Sequence, residues 1–160
     1  MKKLTLLFLT FILFSCNSKA QNDSKKGEFK VKKTEAQWKA DLTPLEYNIL
    51  REEGTERAFS SELNKNYKAG TYDCAACQTP VFKSTNKFDS GTGWPSFDRE
   101  IEGNVAFSTD NNLGYTRTEE HCAVCGGHLG HVFNDGPQET TGKRHCINGA
   151  ALDFIPNDGK

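Results

Sequence analysis

The sequence predicts a mainly β protein built from antiparallel sheets, with short helices only near its N-terminus. Three observations lead there. Beyond Gly54 the 160-residue chain breaks into short aromatic pieces divided by Gly, Asn, Asp and Pro, with no crossover helix between them. Ahead of Gly54, two threonine-headed segments carry helix-start signals. Four cysteines fall in two C-x-x-C pairs separated by 44 residues, a spacing that can staple distant loops.

The elements follow in chain order. Met1, Lys2 and Lys3 make a basic start, residues 4–14 are apolar apart from Thr5 and Thr10, and Ser15 and Cys16 close the run. This pattern describes an export signal. Such a run rises about 17 Å as a helix, short of a ~30 Å hydrocarbon core. A buried N-terminal helix or a short anchor is the competing reading. The next dozen residues are rich in Ser, Asn, Asp, Lys and Gly and read as a flexible tether. The expected organisation is a signal peptide over 1–15, a tether over 16–32 and one folded domain over 33–157.

Thr34 and Gln37 have capping-box spacing ahead of a short helix containing Trp38. Thr43, Pro44 and Glu46 supply a cap, a proline at the first helical position and a return bond. That second helix is expected to bury Leu45, Ile49 and Leu50 and to stop at Gly54. Candidate strands follow at 70–74, 81–84, 105–109, 115–119, 129–133, 145–148 and 151–155. Turn signals stand at 89–91, 110–112 and 134–137.

Composition narrows the function class. Twenty basic and 21 acidic side chains give a formal charge of -1, so nothing draws the chain globally toward nucleic acid. With 36% apolar and 26% charged residues it is an ordinary folded chain. No run reaches the length of a full membrane span.

Cys74, Cys77, Cys122 and Cys125 supply four thiolates, the donor set of a closed tetrahedral zinc site that holds loops together without touching substrate. Two disulfides, an iron–sulfur centre or a redox C-x-x-C remain open readings. Cys146 is then left over. A free buried thiol is its bland reading. Against it, strand alternation places Arg144, Cys146 and Asn148 on one face, and a core face rarely holds those three in a row. A cation beside a thiol favours the thiolate. The same alternation turns His145 away. His128 and His131 add two imidazoles suited to acid–base work near neutral pH. Trp94 lies in the glycine-rich loop 88–97, where it serves either the core or a pocket for a small apolar group.

From about Trp38 to Ile155 the chain resembles the B-type peptide methionine sulfoxide reductases. The runs that carry the likeness are 88–97, 122–125, 128–133 and 144–148, together with both cysteine pairs. The resemblance implies two antiparallel sheets, one structural zinc per chain on Cys74, Cys77, Cys122 and Cys125, and no organic cofactor. It implies reduction of the R epimer of methionine sulfoxide, mainly in proteins. Cys146 then matches the attacking cysteine, and Trp94 the residue that closes over the sulfoxide methyl. His128 and His131 match the histidines around the oxygen, with His131 the acid. Arg144 matches the charge that favours the thiolate, and Phe133 and Asn148 complete the pocket. Thr92 departs from the pattern, standing where many members have a resolving cysteine. The Cys146 sulfenic acid is therefore expected to be resolved by a thioredoxin-like protein or a small thiol. Gly149 also replaces a common serine. Residues 13–16 resemble a lipoprotein processing box, which implies a lipid anchor on Cys16 and export to the periplasmic side or surface of a bacterial envelope; the enzyme is expected to be a monomer.

Overall fold

The computed structural model describes residues 29–157. The expected signal peptide, Cys16 and most of the tether lie outside them. The last tether residues belong to the folded body: the Val31 amide donates to the Val124 carbonyl at 3.0 Å, and the Phe29 ring meets His121 edge-on.

Helix α1 spans Glu35–Asp41 and α2 spans Pro44–Glu52, each headed by a complete capping box, Thr34 with Gln37 and Thr43 with Glu46. Ile49 and Leu50 are buried, but Leu45 is 52% exposed, contrary to expectation. At about 100° per residue the buried stripe centres between 49 and 50, and Leu45 lies about 90° from that line. The helix also stops one residue earlier than expected. Glu53 takes the left-handed position (φ 58), and the Gly54 amide closes onto the Asn48 carbonyl at 3.0 Å. Gly54 also leaves room for the Asn48 side chain: a Cβ there would sit 2.1 Å from Asn48 Oδ1, which would have to move.

Among the described residues nine strands follow, in two antiparallel sheets. They are β1 Gly70–Cys74, β2 Pro80–Lys83, β3 Lys87–Phe88, β4 Ser96–Phe97, β5 Val105–Asp110, β6 Arg117–Cys122, β7 His128–Phe133, β8 Arg144–Ile147 and β9 Leu152–Pro156. The smaller sheet runs β2-β1-β9 and the larger β3-β4-β8-β7-β6-β5. The candidate strand at 115–119 is displaced to β6, because Tyr115 and Thr116 belong to the exposed turn. Strands β3 and β4 have two residues each, too short to leave an alternation in sequence.

The sheets pack through aromatic rings. Phe82 of the small sheet stacks on Phe97 of the large one at 4.4 Å, and Tyr72 meets Phe97 edge-on at 5.0 Å. Ile49, Leu50, Leu129 and Ile147 complete this core. Burying each such side chain stabilises the fold by about 1.5–3 kcal/mol. Among the described residues no helix is long and apolar enough to cross a membrane.

Candidate active site and metal clasp

The strand register places the chemistry in one row across the large sheet. Ser96 of β4 pairs with Cys146 of β8, Cys146 with His131 of β7, His131 with Glu119 of β6 and Glu119 with Ser108 of β5. Directly paired residues share a face, with Cβ atoms about 4.5–5.5 Å apart. Period-two alternation adds Arg144 and Phe133 to that face. It sends His145 into the core, where Nδ1 meets Glu120 Oε1 at 2.6 Å.

His128 reaches the same face by a different device. Glu120 pairs with Gly130 but His121 pairs with His128, so Leu129 is an extra residue in β7. A bulge of this kind re-aims one side chain. The two imidazoles end 5.5 Å apart at 66°, on the wall of an open groove of about 1260 Å³ that Asp110, Arg117, Glu119 and His121 also line.

Each histidine is held by a carboxylate that the sequence reading did not single out. His131 Nε2 lies 2.8 Å from Asp110 Oδ2, and His128 Nδ1 lies 2.7 Å from Glu119 Oε1. Asp110 also binds Arg117, and Glu119 accepts from Ser108 at 2.7 Å. The Asn112 amide, with His131 and Arg117, brings the Asp110 carboxyl down to about 2. Burial works against the charge of Glu119, yet the bonds from His128 and Ser108 outweigh it and leave it at about 2. Both carboxylates therefore remain charged acceptors that fix ring orientation and tautomer. Strand alternation ahead of 119 is the one signal that could have pointed to Glu119. Asp110 reads in sequence only as a turn residue.

Burial also acts on the candidate reacting groups. It pushes the Cys146 thiol up, against the opposing pull of Arg144 and Thr92. It pushes His131 down, against the hydrogen bond to Asp110. The net direction at Cys146 is thus opposite to the one Arg144 alone would give, and the resting pair is a neutral thiol facing a neutral imidazole. Arg144 is itself held by two bonds of 2.9 Å to Asp135, with its guanidinium 4.5 Å over the Phe133 ring.

Trp94 is half-buried, with its indole N–H donating to the Glu56 carbonyl at 3.2 Å. Asn148 differs from expectation. It is 3% exposed, its carboxamide donates to the Leu129 carbonyl at 3.0 Å, and its oxygen accepts the Glu56 amide at 3.0 Å. It braces the bulge and the loop rather than presenting free polar atoms to a ligand. Glu56, absent from the sequence reading, is the hub of this region. Its buried carboxylate accepts from the Gly149 amide at 2.6 Å and the Ala150 amide at 2.9 Å. The glycine at 149 suits this packing, since a Cβ there would lie 1.9 Å from Ser61 Oγ.

Cys74, Cys77, Cys122 and Cys125 gather with all four sulfurs within 4.8 Å of one another. All are free thiols, with Cys74 and Cys125 at 3.7 Å and Cys77 and Cys122 at 3.5 Å. Tetrahedral zinc with bonds of about 2.3 Å separates sulfurs by about 3.8 Å, so the set fits such an ion. The two knuckles repeat one geometry. Gln78 (φ 59) and Gly126 (φ 70) each follow the second cysteine in the left-handed region, and their amides return to Cys74 and Cys122 carbonyls at 2.8 Å. One knuckle joins β1 to β2 and the other joins β6 to β7, so the clasp ties the small sheet to the large one.

Residues 42–156 match the family described as the SelR domain. A peptide methionine sulfoxide reductase MsrB of Thiobacillus denitrificans is 54% identical over 127 residues, 79% of this chain and 96% of that protein. One of Leifsonia xyli subsp. xyli is 48% identical over 137 residues, 85% and 99% of the two chains. One of Methanosarcina mazei is 51% identical over 130 residues, 81% and 92%. The matched span takes in every strand, the histidine–carboxylate face and both cysteine knuckles, and the chain is accordingly a member of the SelR family of peptide methionine sulfoxide reductases.

Proposed function

We propose that this chain reduces methionine-R-sulfoxide, mainly in oxidised proteins, to methionine through a Cys146 sulfenic acid, and so repairs those proteins. The observation that carries this reading is the direct pairing of Cys146 with His131. With Nε2 engaged by Asp110, His131 has Nδ1 left to handle a proton.

The proton balance follows from the neutral resting pair. The Cys146 thiol gives its proton to His131, and Asp110 steadies the imidazolium that results. The thiolate attacks the sulfoxide sulfur while His131 returns the proton to the oxygen as charge develops there. An S–S bond forms, the S–O bond breaks and the oxygen leaves as hydroxide; that hydroxide then bonds to the Cys146 sulfur, the S–S bond breaks, methionine leaves reduced, and Cys146 becomes the sulfenic acid. No proton is gained or lost overall. Arg144 stabilises the transient thiolate, and His128, oriented by Glu119, completes the oxygen's surroundings. Trp94 and Phe133 receive the methyl and side-chain carbons. The S epimer would turn its oxygen toward the indole, and one unsatisfied polar group costs about 1–3 kcal/mol, roughly ten- to a hundredfold.

Thr92 cannot form a disulfide, so an external thiol attacks the sulfenic acid, releases water and leaves a mixed disulfide for a second thiol to reduce. A thioredoxin-like protein or a small thiol fits that role. The metal clasp is read as structural zinc, since four cysteine ligands leave no open position. The basic and apolar N-terminal run supports export, with a lipid anchor at Cys16 on the periplasmic side or surface of a bacterial envelope, and the catalytic unit is read as a monomer.

The test is turnover of separated R and S epimers by the purified chain and by Cys146→Ser. The reading requires R-selective turnover that disappears in the variant, with one sulfenic acid formed per chain when reductant is withheld. Turnover retained in Cys146→Ser, or a Cys146–Cys74 or Cys146–Cys16 disulfide after one cycle, contradicts it.

A further inference from the structure

A continuous line of hydroxyls runs from the reacting thiol into the Trp94 loop. The Cys146 sulfur lies 3.9 Å from Thr92 Oγ1. Thr92 Oγ1 lies 2.8 Å from Ser90 Oγ, and Ser90 Oγ lies 2.7 Å from Ser96 Oγ. The Ser96 hydroxyl donates to the Trp94 carbonyl at 3.1 Å, and Ser96 is 1% exposed.

Each hydroxyl owns one proton, and a carbonyl only accepts. The last contact therefore sets the direction of all the others. Ser96 commits its proton to Trp94, so Ser90 donates to Ser96 and Thr92 donates to Ser90. The only proton left for the first contact is the thiol's own. The Thr92 amide also donates to Ser90 Oγ at 3.4 Å, which gives Ser90 two accepted bonds and one donated, its full complement.

We propose that Ser96, Ser90 and Thr92 form a polarity lock on the nucleophile, accepting the Cys146 S–H at rest and turning to donate to the sulfur only when all three hydroxyls rotate and release the Trp94 carbonyl. The lock rests on the reading of Cys146 as the attacking sulfur. Rotation about three C–O bonds breaks no covalent bond, and the departing thiol proton goes to His131. The other groups acting on Cys146 are Arg144 on its own strand, His131 across the ladder and Glu120 of β6. None of them belongs to the line, so substitutions along it report the lock. The three hydroxyl residues are positioning residues.

The test is site-resolved alkylation of Cys146 by iodoacetamide between pH 5 and 10, on the zinc-loaded full chain, read by mass spectrometry. Only the thiolate reacts. Ser96→Ala removes the bond to the Trp94 carbonyl outright, so reversal of the remaining hydroxyls no longer has to break it, and accelerates alkylation about two- to tenfold near pH 7. The acceleration vanishes at high pH, where the thiol is ionised in every variant. It also vanishes in the Thr92→Val background, where no hydroxyl can turn toward the sulfur. Ser90→Ala cuts the line midway, accelerates likewise, and carries the test if Ser96→Ala fails to fold. Acceleration at every pH, equal acceleration in the Thr92→Val background, or none in either serine variant overturns the lock. Alkylation needs no sulfoxide, so this outcome is separate from failure of the reductase reading.

Discussion

His128 and His131 stand three residues apart on one strand, yet both face the same groove with their rings 5.5 Å apart. Regular alternation would put them on opposite faces, and the extra residue Leu129 removes the conflict. The bulge turns one strand into a two-imidazole wall, with Cys146 paired to His131 on the next strand.

The two histidines should differ in weight. His131 is paired directly with Cys146, so His131→Gln should lower kcat for the R epimer by about 10²–10⁴. His128→Gln should cost less and act partly through KM. Steady-state kinetics of both variants checks the ranking, and an equal loss in kcat would reassign the acid.

Acid stability should reflect the two carboxylates. Asp110 and Glu119 both sit at about 2 in the folded chain, below their ordinary 3.8 and 4.5. Each ionises more readily folded than unfolded, so its contribution is complete above about pH 4.5 and is lost as pH falls toward 2. Thermal unfolding of Asp110→Asn and Glu119→Gln between pH 2 and 6 should show a flatter decline than the parent chain.

Metal removal should loosen the junction between the sheets rather than the chemistry. Chelation, or Cys77→Ser, should lower Tm by more than about 10 °C, a loss of several kcal/mol at roughly 2–6 °C each. Metal analysis should return one zinc per chain. Full stability in chelator with four free thiols would remove the clasp from the account.

Glu56 should behave as a brace. Its carboxylate holds the Gly149 and Ala150 amides, and its own backbone holds Asn148 and Trp94. Glu56→Ala should destabilise by about 2–4 kcal/mol, since charge-assisted bonds contribute about 1.5–3 each. Glu56→Gln should recover part of that and of the R-over-S preference, measured by denaturant unfolding and by epimer kinetics.

Much of the fold and site was legible because it rests on local rules. Capping chemistry marked both helix starts, turn residues marked the strand breaks, and period-two alternation put Arg144 and Cys146 together while sending His145 inward. The paired C-x-x-C spacing announced the clasp, since each knuckle is a local turn. The partners of those residues were not legible. Glu119 comes from the neighbouring strand β6 and Asp110 from β5 one strand further, and a pairing register leaves no mark on any strand alone. Glu56 lies 93 residues from the Gly149 amide it holds.

The sequence by itself singled out the candidate atoms of the chemistry: the Cys146 sulfur, two imidazoles, one indole and four thiols able to hold a metal ion. Tertiary structure decided their state and direction. Arg144 is two residues from Cys146 in any conformation, and locally it favours the thiolate. Only the packed sheet removes the water that would have stabilised that charge, and only there does desolvation outweigh the nearby cation and favour the protonated thiol.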